Sequence, residues 1–201
     1  MKSLNENGQK KNSLVKADSV YIWDPLVRIF HWTLVIAFSI AFISEDDYLT
    51  IHSWAGYTIL SLLIIRIMWG FVGTKHAKFS DFTFSKQDIT QFLKDTFSLK
   101  AKRYLGHNPA GGAMVFLLIF SLLFTTCSGL VVFAIEEGQG PLAFLLSEVS
   151  SFWGDIVEEV HEFLANFTLF LIAVHIAGVI VESLIHSENL IKSMFTGNKR
   201  R

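Results

Sequence analysis

Apolar residues gather along the chain into four long stretches separated by polar connections. Ile29–Ile43 carries no charge, and Leu26–Ile43 makes 18 residues with Arg28 as its one ion. Ser53–Val72 carries one charge, Arg66, whereas Ala110–Ile135 carries none over 26 residues and Phe163–Val181 none over 19. A spanning helix needs about 20 mostly apolar residues at about 1.5 Å of rise each. All four stretches meet that length, the first narrowly. Hydrocarbon supplies no water to backbone N–H and C=O groups, so such segments must be helices. The pattern predicts an all-α, integral membrane four-helix bundle with helices near 26–43, 51–72, 110–135 and 161–185. A polar segment over 1–25 precedes this membrane domain of 26–185, and a basic tail over 186–201 follows it.

Two further segments have helical patterning. Ser85–Phe97 places Ile89, Phe92, Leu93, Thr96 and Phe97 at helical spacing, with Ser85 and Asp88 set for a capping box. It reads equally as a solvated surface helix or as one lying on lipid. Pro141–Glu159 reads as a short acidic amphipathic helix.

The charges then orient the bundle. The segment through Arg28 holds five Lys and Arg, Gly73–Pro109 holds seven, and the tail holds Lys192, Lys199, Arg200 and Arg201. The alternate loops hold no cation: Ser44–Thr50 carries Glu45, Asp46 and Asp47, and Glu136–Val160 carries six acids. The positive-inside rule therefore predicts a multi-pass membrane protein with both termini in the cytoplasm. The start of the chain lacks a signal-peptide pattern, so the first helix reads as a retained anchor.

Composition narrows the class further. Hydrophobic residues make up 51% of the 201 and charged residues 17%, against about 25% charged in ordinary soluble domains. The single Cys excludes a disulfide framework and covalent attachment of a c-type haem. A net charge of −1 gives no support for nucleic-acid binding.

Candidate chemistry lies in the histidines. His76, His107 and His186 fall in or beside loops, whereas His31, His52, His161 and His175 fall within or at the ends of spanning helices. An ionisable residue at membrane depth is costly and points to function. Neutral imidazole suits an axial ligand of haem iron; hydrogen bonding to a neighbouring helix is the ordinary alternative. Depth favours the ligand reading. His161 and His175 are 14 residues apart, about 21 Å along a helix and close to four whole turns, so they share a face. At the outer level His161 meets His52, and at the inner level His175 meets His31. Two stacked bis-His haem-iron sites result, with no membrane histidine left over. Gly56 and Gly178, one turn from His52 and His175, would admit a flat macrocycle, or else serve close helix packing. Arg66 shares the His52 face at the inner level. It suits a haem propionate, or else snorkels to the headgroups.

These residues form recognisable motifs: Trp23-Asp24-Pro25-Leu26-Val27-Arg28-Ile29-Phe30-His31-Trp32, Ile51-His52-Ser53-Trp54-Ala55-Gly56, Arg66 with Trp69-Gly70, Arg103-Tyr104-Leu105-Gly106-His107-Asn108-Pro109-Ala110-Gly111-Gly112, and the His161–His175 pair. Over roughly Val20 to Ser187 the chain resembles the di-haem cytochrome b subunits of bacterial nickel–iron hydrogenases and formate dehydrogenases, with their stand-alone relatives. The resemblance implies two haem b groups and electron exchange between a quinone pool of the respiratory chain and a partner redox protein. It also implies a quinone headgroup near the loop entering the third helix, at Asn108, Gly111 and Gly112 beside His175. An Asn amide and free N–H groups at a helix start suit a quinone oxygen; the same residues also read as a plain turn and helix start.

The expected function is electron transfer between quinone and a periplasmic c-type cytochrome, hydrogenase or dehydrogenase, as a subunit or quinone oxidoreductase rather than a self-contained catalyst. A stand-alone quinone reductase fed by superoxide or another small donor is one alternative, and a haem-free proton or metal transporter another. A homodimer stays open.

Overall fold

The computed structural model describes residues 19–44, 48–146 and 148–201. The polar segment before residue 19, the acids at 45–47 and residue 147 lie outside the described residues, and with them the acidic charge expected on the loop Ser44–Thr50.

The elements run in the order β1 (Ser19–Tyr21), α1 (Pro25–Ile43), α2 (Leu49–Val72), two 3-10 turns (Lys75–Ala77 and Phe79–Asp81), α3 (Lys86–Phe97), α4 (Pro109–Glu136), α5 (Ala143–Leu146), α6 (Ser151–Ile185), α7 (Leu190–Thr196) and β2 (Asn198–Arg200). Among the described residues, α1, α2, α4 and α6 are long and apolar enough to cross a membrane. The protein is an all-α integral membrane bundle, as the hydropathy pattern predicts. Local signals place the helix starts. Asp24 accepts from the Val27 N–H ahead of Pro25, and Asn108 accepts from the Gly111 N–H ahead of Pro109. Both pair a capping side chain with a proline whose missing N–H costs nothing at the first helical position. The Ser85–Asp88 capping box forms at the head of α3.

One boundary differs from the sequence expectation. α6 starts at Ser151, ten residues before the start expected at 161. The acidic stretch Pro141–Glu159 does not make one separate helix: its first part forms the short α5 and its second part the opening turns of α6. Hydropathy marks where a helix enters hydrocarbon, and the helix itself extends beyond that level.

The four long helices pack as two hairpins. α1 lies against α2 and α4 lies against α6, while α2 meets α4. Small residues sit at the seams: Ala37, Ala41 and Ala55 are buried with Ile59, Leu63, Ile119 and Leu122, which lets helix backbones approach where hydrocarbon offers no hydrophobic driving force. Ser121 Oγ lies 2.6 Å from Thr168 Oγ1, with Thr125 Oγ1 3.3 Å away. This buried trio ties α4 to α6. Thr168 is seven residues from His161 and seven from His175, so the tie fixes the height of both. Ile36, Ile64, Met68, Phe120, Phe124 and Phe170 are exposed. Hydrocarbon is the solvent that such a surface suits.

The two ends of the described chain close on one another. β1 and β2 pair antiparallel, Ser19 with Arg200 and Tyr21 with Asn198. Gly197 turns the chain with φ +82, and a Cβ there would strike the Tyr21 ring. The Arg103 guanidinium donates twice to Glu188, at 3.1 Å each, beside this strand pair. His31 and His175 lie toward this strand end of the bundle, and His52 and His161 toward the opposite end.

Asp24 joins the strand end to α2. Its Oδ2 accepts from Trp69 Nε1 at 3.2 Å and from Thr74 Oγ1 at 2.5 Å. Burial alone would raise this carboxyl, but donation from Thr74, Val27, Trp69 and Leu26 outweighs burial and holds it below its ordinary 3.8. Asp24→Ala is expected to cost about 1 kcal/mol for the lost cap, with a further loss from the stranded indole donor. Asp24→Asn keeps a capping oxygen and should lose less. Thermal unfolding of the purified protein in detergent checks both. Because the folded carboxyl is depressed, its contribution holds above about 3.8 and is lost as pH falls below it.

Candidate functional site

Two histidines at the end away from the strands are turned by backbone carbonyls. His52 Nδ1 lies 2.9 Å from the Ala41 carbonyl of α1, across the helix hairpin. His161 Nδ1 lies 2.9 Å from the Thr125 carbonyl of α4 and 3.1 Å from Ser128 Oγ. A carbonyl can only accept, so in each ring Nδ1 carries the proton and Nε2 keeps its lone pair. This is the arrangement by which proteins orient a metal-binding imidazole. The two ring centroids lie 6.0 Å apart, with the ring planes nearly perpendicular at 80°. With metal–imidazole bonds of roughly 2 Å, that spacing admits one metal atom between two ring nitrogens. Gly129 of α4 makes room for the His161 ring, since a Cβ there would lie 2.9 Å from Cε1. Sequence reasoning missed Gly129. A lone glycine in an apolar helix carries no signal of what it faces.

At the strand end, His31 and His175 are both half-buried, and His175 is close enough to act electrostatically on His31. His31 Nδ1 is sealed from solvent without a hydrogen-bond partner. A buried imidazole nitrogen left unpaired is costly in hydrocarbon, and a metal bond or a ligand is what would satisfy this ring.

α6 packs closely on α4, whereas neither α1 nor α2 packs extensively against α6. The histidines of α1 and α2 thus meet those of α6 across a region of sparse helix packing. Gly56 and Gly178 border it: a Cβ added at either position would meet nothing within 4 Å. Close helix packing, the ordinary use of a membrane glycine, is not what these two do here. The donor set, the unpaired nitrogen and the unfilled space fit a flat iron macrocycle at each level.

Arg66 departs from the snorkelling alternative. It is 3% exposed, so it does not snorkel to the headgroups. Its guanidinium donates to the Ala77 carbonyl at 3.1 Å and sits over the rings of Phe79 and Phe82. The connection after α2 folds over it as a cover, and its described contacts are with that cover.

The start of α4 also departs from expectation. The Gly111 N–H donates to Asn108 Oδ1 at 2.6 Å and the Gly112 N–H to the Asn108 carbonyl at 2.8 Å. Neither is the free donor expected for a quinone oxygen. Gly112 instead lets the preceding connection approach, since a Cβ there would lie 2.4 Å from the Phe82 carbonyl oxygen. The second function of Asn108 was not legible in sequence: its amide donates to Glu182 Oε2 at 3.0 Å. His186 Nε2 lies 3.4 Å from the same oxygen. Glu182 and His186 are spaced i, i+4 at the end of α6, a pattern that usually marks a solvated helix end, which is why sequence reasoning passed over both.

His107, expected in a loop, packs between Trp23 and Phe82, with ring centroids 4.8 and 4.4 Å away. Burial pushes it down to about 3, and the positive charges of Arg66 and Lys199, with His175 and His76, push the same way.

Comparisons with known proteins point one way. Residues 22–197 match the family described as prokaryotic cytochrome b561. The chain is similar to a probable Ni/Fe-hydrogenase B-type cytochrome subunit of Rhizobium leguminosarum bv. viciae, 27% identical over 92% of this chain and 90% of the relative. Proteins of the same description from Rhodobacter capsulatus (25% identical, 93% and 84% covered) and Cupriavidus necator (24%, 89% and 86%) are similar as well. No solved structure matches the chain.

The His107 environment generates a pH prediction. The folded value lies far below the ordinary 6.5, so the unfolded chain binds the proton more readily. The stability that neutral His107 provides is therefore present above about 6.5 and is lost as pH falls toward 3. Unfolding temperature should drop across that window, and His107→Gln should flatten the drop. Equal slopes for both proteins would show that another group controls it.

Proposed function

The chain belongs to the prokaryotic cytochrome b561 family, and on that premise we propose that it carries electrons between a quinone pool and a periplasmic redox protein through two b-type haems. Membership makes it a multi-pass membrane cytochrome b of electron transport. The proposal adds the number of haems, their ligands and the two exchange partners.

The observation that carries the ligand assignment is the paired anchoring of His52 and His161. Ala41 and Thr125 hold the two Nδ1 protons, which leaves both Nε2 lone pairs available at a ring separation of 6.0 Å. His31 and His175 are assigned to the second iron on their facing positions and on the unpaired His31 Nδ1. Gly56 and Gly178 leave the space beside each pair clear. Arg66 places a buried positive charge at the inner level, where a carboxylate-bearing group gains from it without touching it. Each haem supplies a one-electron iron couple, and two imidazoles per iron leave no open position for oxygen chemistry.

The cation distribution supports placing the strand end in the cytoplasm and the acidic connection on the periplasmic side. Quinone is assigned to the cytoplasmic end, near Asn108 and His175, with Gly111 and Gly112 shaping the helix start rather than donating. Glu136, Glu137, Glu148, Asp155, Glu158 and Glu159 give the far end an acidic character that suits a partner with a basic docking surface. The relatives named as hydrogenase subunits favour a hydrogenase as that partner, ahead of a c-type cytochrome or another dehydrogenase. They also favour a protein donor over superoxide.

His161→Ala is the direct test. Pyridine haemochrome analysis of the purified protein should fall from two haems b per chain to one, with the inner pair retained. Unchanged haem content would remove His161 from the ligand set. His76→Ala should leave the spectrum as it is.

A further inference from the structure

Resting on the quinone reading above, we propose that Glu182 passes protons between the strand-end surface and a quinone bound at the inner site, with His186 as its outlet. Glu182 follows the uncharged run Phe163–Val181 on α6 and is 9% exposed. Burying a carboxylate is expensive unless it is fully paired, and this one is not. Oε2 accepts from Asn108, whereas Oε1 is sealed from solvent with no hydrogen-bond partner. A purely structural acid would use both oxygens. The free oxygen sits beside the residue assigned to the quinone headgroup, and Glu182 lies two helical turns past His175, on the same face.

An outlet is in place. His186 Nε2 is 3.4 Å from Glu182 Oε2 and also lacks a hydrogen-bond partner, while its side chain is 14% exposed. The remaining charged groups come from the neighbouring elements. Lys199 of β2 acts on Glu182 electrostatically, the Arg103–Glu188 pair lies behind Lys199, and His107 precedes α4.

Reducing one quinone to hydroquinone takes two electrons and two protons. The electrons come singly from the reduced haems, which the protein donor refills. One proton leaves the Glu182 carboxyl as its O–H bond breaks and a new O–H bond forms on the quinone oxygen. The carboxylate left behind takes a proton from the His186 imidazolium, which recovers one from water at the strand end. The second quinone oxygen takes its proton from water by a separate route.

The test uses the purified haem-loaded chain and the Glu182→Gln variant, which keeps a partner for Asn108 but cannot ionise. Chemically reduced protein is mixed with decylubiquinone or menadione. Haem content should stay at the parental level, quinone-driven reoxidation should slow at least tenfold, and Glu182→Asp should recover part of the rate. Redox-difference infrared spectra should show a carboxylic-acid signal in the parent that is missing from Glu182→Gln. A parental rate in Glu182→Gln, or an unchanged infrared signal, overturns the proposal. If Glu182→Gln loses haem, His186→Gln decides: slowed reoxidation at full haem content upholds the relay, and a parental rate overturns it. A parent that ferricyanide reoxidises and quinone does not would overturn the quinone reading itself, and this proposal with it.

Discussion

A polar ring placed in hydrocarbon has no water to turn to, so every membrane-depth imidazole must be satisfied by protein or by a bound group. That constraint organises the bundle. At the end away from the strands, the Ala41 and Thr125 carbonyls satisfy one nitrogen of each ring and leave the other with its lone pair free. The two helix hairpins share a core through α2 and α4, while α6 packs little against α1 or α2, and the histidines lie along that sparsely packed side. The Ser121–Thr168–Thr125 hydroxyls hold α6 at the height that places one histidine at each level.

The two ends of the bundle are built from different chemistry. The end with His52 and His161 borders an acidic connection. At the strand end a polar and charged cluster closes over the helices. There Asp24 ties β1 to α2, Arg103 holds Glu188, and Asn108 links the cap of α4 to Glu182 on α6. Electron exchange with a protein needs a surface; exchange with quinone also needs protons. The strand end is where buried titratable groups are gathered.

Much of this was legible in the sequence because it depends on local rules. Charge-free runs of about 20 residues give the spanning helices, Asn108-Pro109 reads as a turn and helix start, and Ser85 with Asp88 marks another. The 14-residue spacing of His161 and His175 puts two rings on one face by helix geometry alone. What was not legible depends on contacts distant in sequence. The β1–β2 pair joins segments of three residues each from the two ends of the described chain, too short to carry a strand signal. The Gly111 and Gly112 N–H groups looked free because their acceptor, Asn108, was read as reaching outward. Arg66 looked like a surface anchor or a ligand contact because the sequence does not reveal that the next connection folds over it. Glu182 and His186 looked like an ordinary helix end because burial, not spacing, makes them unusual.

Electron paramagnetic resonance of the oxidised, purified protein, set against its haem count, tests the central claim most directly. Two haems b per chain, both giving low-spin ferric signals of paired axial imidazoles, are what facing His52–His161 and His31–His175 pairs produce. One haem per chain, or a high-spin signal from an iron with an open position, would contradict the account.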